Sequence, residues 1–459
     1  MSRPQPVRGK EGRRAVPRSI HPSLDLPDDR DPVARLEEQT PDRVPELVPI
    51  RYGRMLSSPF AFFRGAAHVM AHDLATAPRT GLIVQLCGDA HLSNFGGFAS
   101  PERDFVFDLN DFDETLPGPF EWDVKRLVAS FEIAGRDRGF SEAERSEAVL
   151  TAARTYRESM RRFASMGNLA VWYAHLDAAE IASRLRAMRE KTGAKLVEQA
   201  VAKAQTKDSV RALAKFTERQ DGEPRIVSDP PLIVPISELR DDAFDQDKLE
   251  LVLERLVRSY RGLSRERRTL LNRYRYVDLA RKVVGVGSVG TRCWIVLLMG
   301  ADAGDPLFLQ VKEAQSSVLE ELLGRSAFSN HGRRVVEGQR LMQAASDIFL
   351  GWTRVSDPTD GIERDFYVRQ LWDWKASVDV DTIEPRGLAL YAQACGGTLA
   401  RAHARSGDRA AIAAYLGKGD AFDRALAEFV RAYAEVNARD YEGLTRAVRE
   451  GRITAVEGL

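Results

Sequence analysis

Apolar positions in the first half of the chain recur mostly at helical spacing, interrupted by two short strand-sized runs. Between residues 45 and 74, Met55, Phe60, Phe63, Ala67 and Met70 mark one face of a helical region. Residues 82–86 are a compact apolar run leading straight into Cys87-Gly-Asp-Ala-His-Leu-Ser-Asn-Phe, and residues 105–107 are a second, ending at Asp108. Helical periodicity then extends from about residue 122 to 213, with breaks near 136–141 and 165–168. A Pro-rich stretch at 224–235 reads as a linker or hairpin edge. Residues 246–282, densely charged, are expected to be helical.

The texture then changes. Residues 283–311 alternate short apolar runs with glycines, which signals β-hairpins. Helices are expected at 316–323 and 332–345, strands at 348–355 and 366–371, and Ala-rich helices from 385 onward. No internal repeat is visible. The pattern predicts an α+β chain in four parts: a disordered tail over 1–40, a helical lobe over 41–245, a small β-rich lobe over 246–380 and C-terminal helices over 381–459. The tail is assigned on its scarcity of large apolar residues and its many Pro and Arg.

Composition narrows the classes. The chain has 459 residues, and 67 basic residues balance 67 acidic ones, so no whole-chain field points to nucleic acid. Cys87, Cys293 and Cys395 are far apart and form neither a CxxC nor a disulfide pattern. With no apolar leader region and no run long enough to span a bilayer, the expectation is a cytoplasmic protein without a membrane partner. His68 and His72 share a helical face at i, i+4, but no carboxylate nearby in sequence completes a metal triad. They read as a surface pair.

Two constellations carry candidate chemistry. In the first, Asp89 and Asn94 stand five residues apart in a loop after a strand, and Asp108, Asp111 and Asp113 follow at the end of another. Phosphoryl transfer from ATP relies mainly on positioning and charge neutralisation. One aspartate handles the attacking hydroxyl, while an asparagine and a second aspartate hold magnesium. Taken singly, such residues are ordinary turn and cap formers; the ordered set is what points to chemistry.

In the second constellation, Val283-Val-Gly-Val-Gly-Ser-Val-Gly-Thr-Arg contains G-x-G-x-x-G through Gly285, Gly287, Ser288 and Gly290. Alone this motif is weak. The continuous apolar run at 293–299 and the further strand ending at Lys312 favour an antiparallel hairpin over a βαβ unit. A glycine loop between antiparallel strands is the arrangement that covers ATP phosphates in kinases.

These motifs resemble those of protein kinases and, more closely, of small-molecule kinases similar to aminoglycoside phosphotransferases. By that resemblance Asp89 is the catalytic base, Asn94 a metal ligand and Asp108 the principal metal ligand, with Asp111 competing for that role. Asp123 braces the loop, and Lys312 contacts the phosphates and pairs with a helix glutamate, Glu337 first and Glu320 second. Residues 366–375 supply the last strand and the hinge beside the adenine. Kinases place the glycine loop before the catalytic loop, so the reversed order implies a circularly permuted, two-lobed kinase-like fold.

Ser-Pro-Phe-Ala-Phe-Phe-Arg-Gly, Gly-Asp-Ala-His-Leu-Ser-Asn-Phe-Gly and Phe-Asp-Leu-Asn-Asp-Phe-Asp-Glu-Thr also resemble a bacterial family labelled only as a domain of unknown function, number 2252. That label implies no activity. Arg54 and Arg64 fall in the matching stretch and are candidates for phosphate or substrate contact. The leading expectation is an ATP- and magnesium-dependent phosphotransferase acting on an unknown hydroxyl acceptor, small molecule or protein. Adenylyl transfer, a metallophosphoesterase suggested by Gly-Asp-Ala-His, and a non-catalytic pseudokinase-like nucleotide-binding protein are the alternatives.

Overall fold

The computed structural model describes the chain except residues 1–5, 178–194, 196–197, 199–200, 207, 240–250, 252–255, 258, 303, 357–360 and 372. Its strands are β1 Ile83–Leu86, β2 Phe95–Ala99, β3 Phe105–Leu109, β4 Leu116–Pro119, β5 Leu176–Asp177, β6 Thr217–Gln220, β7 Glu223–Ile226, β8 Ile233–Pro235, β9 Arg275–Lys282, β10 Cys293–Met299, β11 Pro306–Glu313, β12 Gly351–Ser356 and β13 Glu363–Gln370.

The last six form one antiparallel sheet in the order β12-β13-β11-β10-β9-β8. β10 lies near its middle and is buried at every position. Its odd residues, such as Ile295 and Leu297, pack with Phe216, Ile226 and Phe308 on one face. Its even residues, such as Val296 and Leu298, pack with Leu309, Val311, Phe349 and Phe366 on the other. Burial on both sides explains why the run is apolar throughout instead of alternating.

Around the acidic motif the sheets are small. β1 pairs with β4, and β2 pairs with β3 in a hairpin. They rest on long helices, chiefly Phe120–Asp137, Glu142–Ala164, Pro385–Ser406 and Ala421–Arg449. Ser141 and Glu144 form a reciprocal capping box that starts the second of these. Gly396 lets the third approach closely, since a Cβ there would stand 2.4 Å from the Ala152 carbonyl oxygen. None of the helices in the described residues is long and apolar enough to cross a membrane.

Two expectations are corrected. Within the region read as helical, residues 265–271 are a helix but Arg275–Lys282 is β9, paired with both β8 and β10. Its dense charge masked a strand whose conformation is set by its neighbours; part of that region, 246–250, 252–255 and 258, lies outside the described residues. The tail read as disordered carries helices at Pro6–Ala15 and Pro32–Glu37. Arginines anchor it: Arg30 bonds both Asp73 and Asp440 at 2.6–2.8 Å, and Arg13 donates to the Tyr415 carbonyl at 3.1 Å.

Lys125 gives the helical core a pH signature. It is 2% exposed with its ammonium 4.4 Å from the Phe429 ring centroid. Burial pulls its pKa down to about 8, against the pull of Glu121. Between that value and 10.5 the unfolded chain binds the extra proton, so stability rises with pH across this window. Lys125→Met is expected to stabilise the protein at pH 7 by a few kcal/mol, each unit of pKa depression being worth about 1.4 kcal/mol. It should also flatten the alkaline rise, which urea unfolding at several pH values would read.

Candidate functional site

Asp89 follows β1, and Asn94 ends the turn before β2. Asp111 and Asp113 lie in the loop between β3 and β4. The helix starting at Phe120 organises this loop cluster. Asp123, in its first turn, accepts the amides of Cys87 at 2.8 Å and Gly88 at 3.0 Å and is met by His403 Nε2 at 3.2 Å. Three residues later on the same helix, Arg126 donates to Asp89 Oδ1 at 2.8 Å and to the Phe63 carbonyl at 2.7 Å. Asp123 thus holds the backbone before Asp89 while Arg126 orients its carboxylate. Burial raises the Asp89 pKa, against the opposing charges of Arg126 and Arg64.

The Asn94 carboxamide donates to the Asp89 carbonyl at 2.8 Å, which orients its side-chain oxygen. His91 Nε2 stands 3.6 Å from Asp89 Oδ2. Burial, reinforced by Arg64 and Arg126, holds the His91 pKa well below its usual range, so this ring is neutral.

The sheet meets this acidic floor. Lys312, on β11, bonds Asp113 Oδ2 and donates to Ser288 Oγ at 2.9 Å. Tyr367, on β13, donates to Asp113 Oδ1 at 2.9 Å. Burial pushes the Asp113 carboxyl up, but the Lys312 ammonium and Tyr367 hydroxyl outweigh it and hold the pKa low. Asp111 goes the other way: burial first, then the Asp113 charge, raises it. Two carboxylates two residues apart are thus pushed in opposite directions, as at sites that divide roles between acids.

The glycine loop between β9 and β10 is gripped by two arginines from the N-terminal part of the chain. Arg43 donates to the Gly287 carbonyl at 2.8 Å and also to that of Val289, while Arg54 donates to that of Gly285 at 2.7 Å. Gly290 has φ +94°, and a Cβ there would press on the Arg43 side chain at 3.0 Å. Asp89, Asn94, Asp111, Gly285, Gly287 and Ser288 all line one cavity of about 130 Å³. Arg64 lines it too, and its Nε has no hydrogen-bond partner among the described residues.

Two expected site residues lie elsewhere. Asp108 is fully buried, bonded to Arg401 and to the amides of Ala344 and Leu109 at 2.8 and 2.9 Å. Its oxygens are committed to the fold, so the metal-ligand role assigned to it is corrected. It is not among the residues that line the cavity. Glu337 is partly exposed and faces Arg333 at 3.7 Å, while Glu320 faces His331 and Arg334 at 3.6 and 3.8 Å. The partner of Lys312 is Asp113, not a helix glutamate. That aspartate was visible as the third acid of its motif, but only tertiary contact singles it out. Arg43 had no local signal.

No curated protein and no solved structure matches the chain. A family profile described as an uncharacterized protein conserved in bacteria (DUF2252) matches residues 43–447. With nearly the whole chain covered, motifs and helical scaffold included, the protein belongs to that bacterial DUF2252 family.

Proposed function

We propose that this protein is an ATP- and magnesium-dependent phosphotransferase of kinase-like architecture acting on a hydroxyl acceptor. One observation carries the reading: Lys312 reaches from the sheet to Asp113, in the same loop cluster that presents Asp89, Asn94 and Asp111 to one cavity. The connectivity supports it. The glycine loop joins β9 to β10, the lysine lies on β11, and a helix at His331–Met342 precedes β12 and β13. Protein kinases assemble their small lobe from the same parts in the same succession. Here they follow the acidic loops in sequence, as a circular permutation would place them.

On this reading Asp89 accepts the proton of the acceptor hydroxyl as its oxygen bonds to the terminal phosphorus and the bond to the ADP oxygen breaks. Asp111, Asn94 and Asp113 offer oxygen ligands, the donor type that suits magnesium. Lys312 would exchange Asp113 for phosphate oxygens, with Arg64 available beside it. A base lying along the Lys312 face would run toward Gln310 and Phe308, where Phe216 now packs. Binding would then displace the helix Ser209–Phe216.

Thermal shift with ATP and magnesium tests the reading. Ligand at a hundredfold excess over its Kd should stabilise the fold by about 2.7 kcal/mol. Lys312→Met should remove most of that shift. Absence of any nucleotide-dependent shift in the wild-type protein would overturn the proposal. Transfer of label from the γ rather than the α position of ATP separates phosphoryl from adenylyl transfer.

A further inference from the structure

A second cluster of ligand-type side chains includes His68, which also lines the same cavity. His68 opens the helix Ala67–Thr76 and His72 sits one turn later, so both rings project from one face. Their Nε2 atoms are 3.0 Å apart. Glu321, distant in sequence, brings its Oε2 to 3.6 Å from the first and 3.3 Å from the second. The carboxylate missing from the neighbourhood in sequence is therefore supplied by the fold. It comes from the short helix Glu320–Leu323, in the segment that follows the Lys312 strand.

The spacing has a chemical meaning. A tetrahedral ion with bonds of about 2.0–2.1 Å holds its ligand atoms about 3.3 Å apart. The three separations here, 3.0, 3.3 and 3.6 Å, bracket that value. The tautomer also fits. His68 Nδ1 lies 3.2 Å from the Arg35 carbonyl oxygen, which can only accept, so Nδ1 carries the proton and Nε2 presents its lone pair to the cluster. Metal-binding histidines are commonly oriented in this way through their other ring nitrogen. His68 is 4% exposed, His72 21% and Glu321 60%, which leaves one side of the trio toward solvent. Among the described residues, this is the trio of His, Cys, Asp or Glu whose ligand atoms converge for a metal.

We propose that His68, His72 and Glu321 form a site for a divalent cation of the zinc class, with a fourth position open to water. Nitrogen donors favour such an ion over magnesium, so this site is distinct in chemistry from the all-oxygen set around Asp111. Once filled, it pins the segment after Lys312 to the Ala67–Thr76 helix and so fastens one edge of the cleft. The inference does not depend on the phosphotransferase reading.

Calorimetric titration of the chelator-treated full-length protein with zinc chloride tests it, with cobalt as a spectroscopic probe. The expected result is one equivalent bound at submicromolar Kd, a raised Tm and the intense visible bands of tetrahedral cobalt. His72→Gln and Glu321→Gln alter partly exposed side chains and should fold, as melting curves would verify. Each should weaken zinc at least about tenfold through loss of one ligand. Zinc binding no tighter than tens of micromolar, or an affinity unchanged in the His72→Gln/Glu321→Gln double variant, would overturn the proposal. Either result leaves the ATP shift untouched.

Discussion

Asp108→Ala is expected to lower the free energy of unfolding by about 3–5 kcal/mol, the range seen when one partner of a buried ion pair is removed. The carboxylate is fully buried and bonds Arg401, itself 4% exposed, along with two backbone amides. Deleting it strands a guanidinium in the core between the helix Pro385–Ser406 and the β2–β3 hairpin. Denaturant unfolding of the purified variant measures the effect. A variant as stable as wild type would show that Asp108 is not a structural residue and would restore it as a candidate ligand.

Asp89→Asn should reduce turnover by about 10²–10⁴-fold, the contribution typical of a positioned general base. On the proposed reading ATP affinity should stay near the wild-type value, because the carboxylate would face the acceptor and the Arg126 contact can persist with an amide oxygen. Asp111→Asn should behave differently, weakening nucleotide binding only when magnesium is present. Isothermal titration with and without the metal, beside steady-state rates, separates the two. Equal loss of metal-dependent binding in both variants would contradict the assignment of a base to Asp89 and a ligand to Asp111.

These contrasts turn on residues that look alike in sequence. Asp108, Asp111 and Asp113 fall within six positions, yet one is sealed against Arg401, one faces the cavity and one bonds Lys312. Its spacing from Asn94 and the apolar run before it favoured Asp108, which does lie in a strand, β3, and is deeply buried. Burial in a paired core site is the reason it is unsuited to bind an ion. Glu337 was chosen by analogy for a partner that Asp113 supplies from the opposite side of the cleft. In each case the local pattern located the element, and the competition for a charged partner was settled by packing.

Legibility followed the range of the interaction. Short-range signals sufficed for the β10 and β11 strands, for the glycine turn and for the loop that follows β1, because side-chain alternation and turn chemistry act within a few residues. The Asp123 brace came from the kinase resemblance, and its carboxylate does accept the Cys87 and Gly88 amides from one turn into the helix. The strand β9 was not, because its cation-rich stretch becomes a strand only beside β8 and β10. Nor was the ordered tail, which depends on Arg30 finding Asp73 and Asp440 across the molecule.

From its amino-acid order alone, then, the chain specifies a helical body, a β unit with a glycine turn and a loop dense in acidic and amide side chains. Which acid is sealed away, which one meets Lys312, and that Glu321 joins His68 and His72 are matters of three-dimensional assembly. Charged groups interact through space, and the pairing that lowers the energy joins side chains hundreds of positions apart. No local window contains both partners.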